Sequence, residues 1–193
     1  MIIGVTGKNG SGKGTVVEHL LNKGFAQLSL SDEIRYEAKK RGIELARPEL
    51  QRLGIIMRQE EGSNVLAKRA LSKAEPGKNY VVDSIRNPAE VAELKKSPDF
   101  FLIAIDAPAQ IRFEWLRKRN RESDPKSWEE FLETDLKEEG RDKFGNDRGE
   151  SSQKVSECIT TADFHILNDG DIGNLWRKTE DVFQEVLGTK ESN

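Results

Sequence analysis

Gly7-Lys8-Asn9-Gly10-Ser11-Gly12-Lys13-Gly14-Thr15 decides the fold, because of what stands on either side of it. The apolar run Ile2-Ile3-Gly4-Val5-Thr6 precedes it and reads as a buried strand. A helix-period stretch opening near Gly12 follows it. Strand, glycine-rich turn and helix together make a phosphate-binding loop, or P-loop. Its glycines let the backbone curl until successive N–H groups point inward at an anion. The new helix adds the positive end of its dipole, and Lys13 can reach the β- and γ-phosphates of a nucleotide. The whole run Gly7, Asn9, Gly10, Ser11, Gly12, Lys13, Gly14 and Thr15 is therefore assigned to ATP. The hydroxyl that usually follows the lysine is missing, since Gly14 stands there and Thr15 comes one residue later. Mg2+ keeps several of its waters, so Thr15 can serve indirectly or on another phosphate. The order Gly7, Gly10, Gly12 does not fit the Gly-x-Gly-x-x-Gly dinucleotide pattern.

Outward from this segment, short apolar runs alternate with longer polar stretches of helical period, which predicts βαβ units and a parallel sheet. Strands are expected near Ile2 to Thr6, Phe25 to Leu30, Tyr80 to Asp83, Phe100 to Asp106 and Phe164 to Leu167. Helices should begin near Gly12, Ser31, Pro88, Pro108 and Asp171. The expected fold is a three-layer α/β/α sandwich, a single domain over residues 1–193, with five parallel strands in the order 2-3-1-4-5. Two stretches interrupt the alternation. Residues from about 42 to 77 hold two helical segments and no strand, and are expected to cover the acceptor. Residues from about 121 to 149 are strongly charged and read either as a lid or as a solvated loop.

The 193 residues suit one domain. A net charge of −3 excludes a general nucleic-acid coat, which needs a basic surface. The single cysteine, Cys158, forbids an internal disulfide and fits a reducing compartment. No apolar run is long enough to span a bilayer, so a cytoplasmic protein is the expectation.

Asp83 ends the strand expected beside the P-loop strand, where a carboxylate can hold the water shell of Mg2+. Asp106 competes from the next strand, or else caps the helix at Pro108. After the second strand, Ser31-Asp32-Glu33-Ile34-Arg35 reads as a helix start with Ser31 capping. It also brings Asp32 and Arg35 to the edge where the P-loop lies. Arg35, Arg86 and Arg58 are candidate grips for an acceptor phosphate. Arg117, Arg119 and Arg121 end the helix from Pro108. Arg117 and Arg121 are candidate catalytic cations, because positive charge brought in by a mobile element stabilises a transferring phosphoryl group. His19, His165 and the three tryptophans are read as structural.

Gly10 to Thr15 resembles the P-loop of the nucleoside monophosphate kinases, including the glycine after the lysine. Ser31-Asp32-x-x-Arg35 is similar to their Thr-Gly-Asp-x-x-Arg segment. Asp83-Ser84-Ile85-Arg86 looks like their Asp-Gly-Phe-Pro-Arg segment, one residue shorter and without its proline. A competing resemblance is to the dephospho-coenzyme A kinases, through Leu30 to Ile34, Gln153, Ala162-Asp163 and Asn168-Asp169-Gly170. Both resemblances imply that Asn168 and Gly170 lie near the adenine of ATP. The implied activity is ATP- and Mg2+-dependent phosphoryl transfer to a small nucleotide. Asp32 separates the two: an acceptor phosphate needs only arginines, whereas a ribose hydroxyl profits from a carboxylate base, here Asp32. A rival of another class is a regulatory ATPase acting on RNA or a protein. Against a GTPase switch, Asp83-Ser84-Ile85-Arg86 lacks the glycine of Asp-x-x-Gly and no Asn-Lys-x-Asp guanine reader occurs.

Overall fold

The computed structural model describes residues 1–121 and 124–191. Its sheet has five parallel strands in the expected order: β2 (Ala26–Ser29), β3 (Tyr80–Ile85), β1 (Ile2–Thr6), β4 (Phe100–Asp106) and β5 (Phe164–Leu167). Successive side chains of a strand face opposite ways, and here both faces are buried. Ile3, Val5, Val81, Ile103 and Ile105 pack under α1 (Lys13–Asn22) and α9 (Ile172–Glu191). Val82, Ile85, Phe100 and Leu102 pack on the other face. There they meet α2 (Leu30–Arg41), α3 (Arg47–Glu61), α4 (Val65–Leu71) and α5 (Pro88–Leu94). This explains why the strands read as continuous apolar runs rather than alternating ones. No described helix is long and apolar enough to cross a membrane.

The third strand runs two residues past its expected end at Asp83. Gly4 pairs with Val82 but Thr6 pairs with Ile85, so Asp83 and Ser84 together oppose Val5. Such a bulge re-aims side chains, and Ser84 takes a left-handed φ of 61° to complete it. Thr6 Oγ1 then donates to Ile85 O at 3.0 Å and ties the bulge to the strand that enters the P-loop.

The charged stretch after residue 121 is not a solvated loop throughout. After α6 (Ala109–Arg119), it forms α7 (Trp128–Glu138), started by Ser127, whose Oγ accepts the Glu130 N–H at 3.2 Å. Phe131 is fully buried between Phe113 and Trp128, with the Arg112 guanidinium 4.9 Å from its ring centre. A short α8 (Val155–Thr160) follows.

The glycines of the loop are required to different degrees. A methyl group on Gly7, whose φ is +147°, would lie 2.2 Å from the carbonyl oxygen of Ile105. One on Gly14 would meet nothing within 4 Å, inside a regular helix turn. Gly7→Ala should therefore destabilise the protein by about 3 kcal/mol or more. Gly14→Ala should be neutral or stabilise by up to about 1 kcal/mol. Denaturant melts of both variants check this, and equal melts would remove the steric account of the turn.

Candidate phosphate-binding site

Three walls close on the loop between β1 and α1. Gly10 backs onto the Arg112 carbonyl and Leu116 of α6, and Gly12 onto Asn168, which follows β5. Asn168 is buried and donates from Nδ2 to Ser11 O at 3.0 Å. Arg112 is buried too, donating to Ala107 O and Asn9 O and forming a two-pronged pair with Asp135 of α7. Loop geometry thus depends on α6, α7 and the residues after β5. A cavity of about 500 Å³ opens here, lined by Gly10 to Thr15 save Ser11, and by Arg86, Trp115, Arg119, Arg121, Asn168, Gly170 and Ile172.

The cavity's charge is concentrated at its floor. Lys13 Nζ donates to Gly7 O and Lys8 O, both at 2.7 Å. The residue keeps some exposure, yet its ammonium is enclosed, and burial pulls its pKa down to about 8. Glu138 works against that fall, and Arg86 and Arg112 work with it. Glu138, the last residue of α7, is 1% exposed. Its Oε2 accepts the Asn9 N–H at 2.8 Å and its Oε1 accepts from Arg86 Nη1 at 2.7 Å. Burial alone would raise the pKa of this carboxyl, but Arg86, Lys13 and the Asn9 N–H outweigh it and hold it below the usual range. Beside it, Glu139 pairs with Lys8 at 2.6 Å.

Two residues of the loop and the end of β3 carry buried polar atoms without a protein partner: Asn9 Nδ2, Ser11 Oγ and Asp83 Oδ1. Asp83 Oδ2 accepts from Gln27 Nε2 at 2.9 Å, which leaves Oδ1 buried without a partner, and the carboxylate is a charged neighbour of Lys13. A hydrated divalent cation calls for such an acceptor, so Asp83 fits the part. Asp106 is exposed and accepts the Ala107 N–H at 2.9 Å, but it does not cap α6, whose N-cap residue Pro108 has no side-chain cap.

The other expected residues divide. Arg86 and Arg121 line the cavity, as do Asn168 and Gly170. Asp32 and Arg35 pair with each other at 2.8 Å on an exposed helix face, with Arg35 also donating to Ser31 Oγ. Arg58 is corrected outright. It is buried and donates to Glu90 Oε1 through Nε and Nη2 at 3.0 and 2.7 Å. The other oxygen, Glu90 Oε2, receives the N–H groups of Arg86 and Asn87. Arg58 therefore braces the strand end that carries Arg86 and meets no acceptor. Arg117 is exposed, lies over the Phe113 ring at 5.8 Å and is not among the residues lining the cavity. Arg119 does line it, held by Asp124.

Sequence reasoning missed Glu138, Trp115 and Arg47. Arg47 opens α3, where a cation opposes the helix dipole; that mismatch was a readable signal of another role. Burial lowers its pKa, with Glu138, Arg86, Asp124 and Arg119 as charged neighbours.

A family model described as an AAA domain matches residues 6–132. The UPF0200 protein of Pyrococcus horikoshii is 37% identical over 97% of this chain and 98% of its own length. That of Thermococcus onnurineus is 34% identical, over 97% and 98%. Among solved structures, TT1252 from Thermus thermophilus superposes with a TM-score of 0.57 at 21% identity, covering 96% of this chain and 97% of that one. Shikimate kinase from Acinetobacter baumannii, in complex with shikimate, gives 0.55 at 15%, covering 98% and 94%. At these identities the likeness is one of fold.

A polyphosphate at the loop would return anionic charge to Lys13 and raise its pKa. Near pH 8 the free protein holds Lys13 about half protonated, so binding should take up roughly half a proton. Affinity should fall as pH rises through 8. Calorimetry in two buffers of different ionisation enthalpy measures the uptake, which Lys13→Met should abolish. Proton release would contradict the assignment.

Proposed function

Since the chain belongs to the UPF0200 family and has a P-loop kinase fold, we propose that it transfers the γ-phosphoryl group of ATP to a small nucleotide, a nucleoside or deoxynucleoside monophosphate. The observation that carries this reading is the floor of the cavity. The Asn9 N–H and Arg86 converge there on one buried anion, the Glu138 carboxylate, and Lys13 has both Glu138 and Asp83 as charged neighbours.

In this reading the base of ATP lies between Trp115 and Ile172, near Asn168 and Gly170, and its phosphates enter the loop from Gly7 to Thr15. Lys13 leaves the Gly7 and Lys8 carbonyls and follows the transferring group, an electrostatic aid present where charge develops. Asp83, with Thr15 near, would hold Mg2+, which supplies charge neutralisation between the phosphates. Arg119, at the end of α6, and Arg121, where the segment 121–149 begins, bring further positive charge, and that segment acts as the lid and excludes water. The acceptor lies towards residues 42–77, where Arg86, Arg35 and Arg47 meet its phosphate. Such an acceptor already carries a nucleophilic oxyanion, so it needs gripping and orientation rather than a base. Asp32 then serves to hold Arg35.

Kinetics of single variants against a panel of ribo- and deoxyribonucleoside monophosphates and dephospho-coenzyme A test this. Lys13→Met should lower kcat by about 10²-fold or more in a folded protein. Asp83→Asn should reduce Mg2+-dependent turnover far more than Asp106→Asn. Arg35→Ala should raise the acceptor KM and lower kcat, and Asp32→Asn should do less. Activity confined to dephospho-coenzyme A, and lost in Asp32→Asn, would replace the monophosphate with a hydroxyl acceptor. Hydrolysis stimulated by RNA or a protein, with no phosphorylated small product, would replace the kinase with a regulatory ATPase.

A further inference from the structure

Helix α7 ends in two acids, Glu138 and Glu139, where the helix dipole disfavours negative charge. Both are held from outside the helix. Glu139 binds Lys8 and Ser156, and Glu138 reaches into the P-loop. The Glu138 contact is unusual for a carboxylate. It takes the N–H of Asn9, a residue of the P-loop, and it takes Arg86 in the same stroke. Burying an ion this deeply is costly unless strong partners replace its water. The partners here are the N–H group, Arg86 and the nearby Lys13, with Arg47 in the same electrostatic neighbourhood.

We propose that the Glu138 carboxylate stands in for a substrate phosphoryl group, and that a phosphate anion enters this subsite by displacing it. The proposal rests on the polyphosphate reading above and adds to it a competitor built into the chain. The Asn9 N–H has one hydrogen, so a carboxylate and a phosphoryl oxygen cannot both hold it at full strength, whereas Arg86 Nη1 has two and already reaches both Glu138 and Gln153. A polyphosphate brings several charges into a well that Glu138 fills with one, and so wins. Glu138 meanwhile gives the ligand-free protein a counter-charge for Lys13 and Arg86. The affinity of the cradle for phosphate is then set by the difference between two anions, and α7 carries the weaker.

Titration calorimetry with inorganic tripolyphosphate, at fixed pH and salt, separates the possibilities. Glu138→Gln keeps the shape and removes the charge. Glu138→Asp keeps the charge and shortens the reach to Asn9. Circular dichroism melts establish that each is folded. Both variants should bind tripolyphosphate at least tenfold more tightly than the wild-type chain. Equal or weaker binding by the folded variants, with the wild type binding normally, overturns this proposal and leaves the nucleotide reading standing. Failure of all three proteins to bind overturns the nucleotide reading, and the displacement proposal with it.

Discussion

The turn at residues 7–12 cannot be made from ordinary side chains, and much of the molecule is arranged to hold it. Gly7, Gly10 and Gly12 have positive φ, and any side chain on Gly7 or Gly12 would strike Ile105 or Asn168. The contacts that forbid side chains also fix the turn in place. The end of β4, the body of α6 and the residues after β5 each press on one glycine. Parallel strands put those segments at the same edge of the sheet as the turn, which is where ligands bind in such folds.

A second consequence is electrostatic. Inward-pointing N–H groups and an enclosed ammonium create a well of positive potential that needs an anion. The chain supplies one from α7, through Glu138, and braces the well from below through the buried Arg58–Glu90 pair. That pair receives the backbone of Arg86 and so aims its guanidinium. Removing either member leaves a lone buried charge, the costly case for such pairs. Arg58 thus reaches the site only through Arg86.

The sheet was legible because buried parallel strands leave a strong mark, short apolar runs separated by helical period. Their order, and the first and last residues of β1, β4 and β5, agree with the sequence reading. β3 overran its expected end because a bulge lies in the pairing with β1, which no local sequence pattern announces. Helix α7 was hidden by charge. Its anchors Trp128 and Phe131 are few, and they find their partner Phe113 on another helix. Arg58 was misread because helical spacing does not say which arginine turns to a buried glutamate thirty-two residues away. Glu138 left no signal at all. A lone glutamate in an acidic run becomes notable only when the fold lays it across an N–H group 129 residues distant.

A kinase cradle passes its phosphoryl group to a small molecule and not to water. Phosphorus NMR of the protein with Mg2+, ATP and a mixed pool of nucleoside monophosphates follows every phosphorus atom at once. The account predicts that ATP signals decline in step with the growth of ADP and of a new nucleoside diphosphate signal, with little inorganic phosphate. Inorganic phosphate growing alone, in step with ADP, would contradict it.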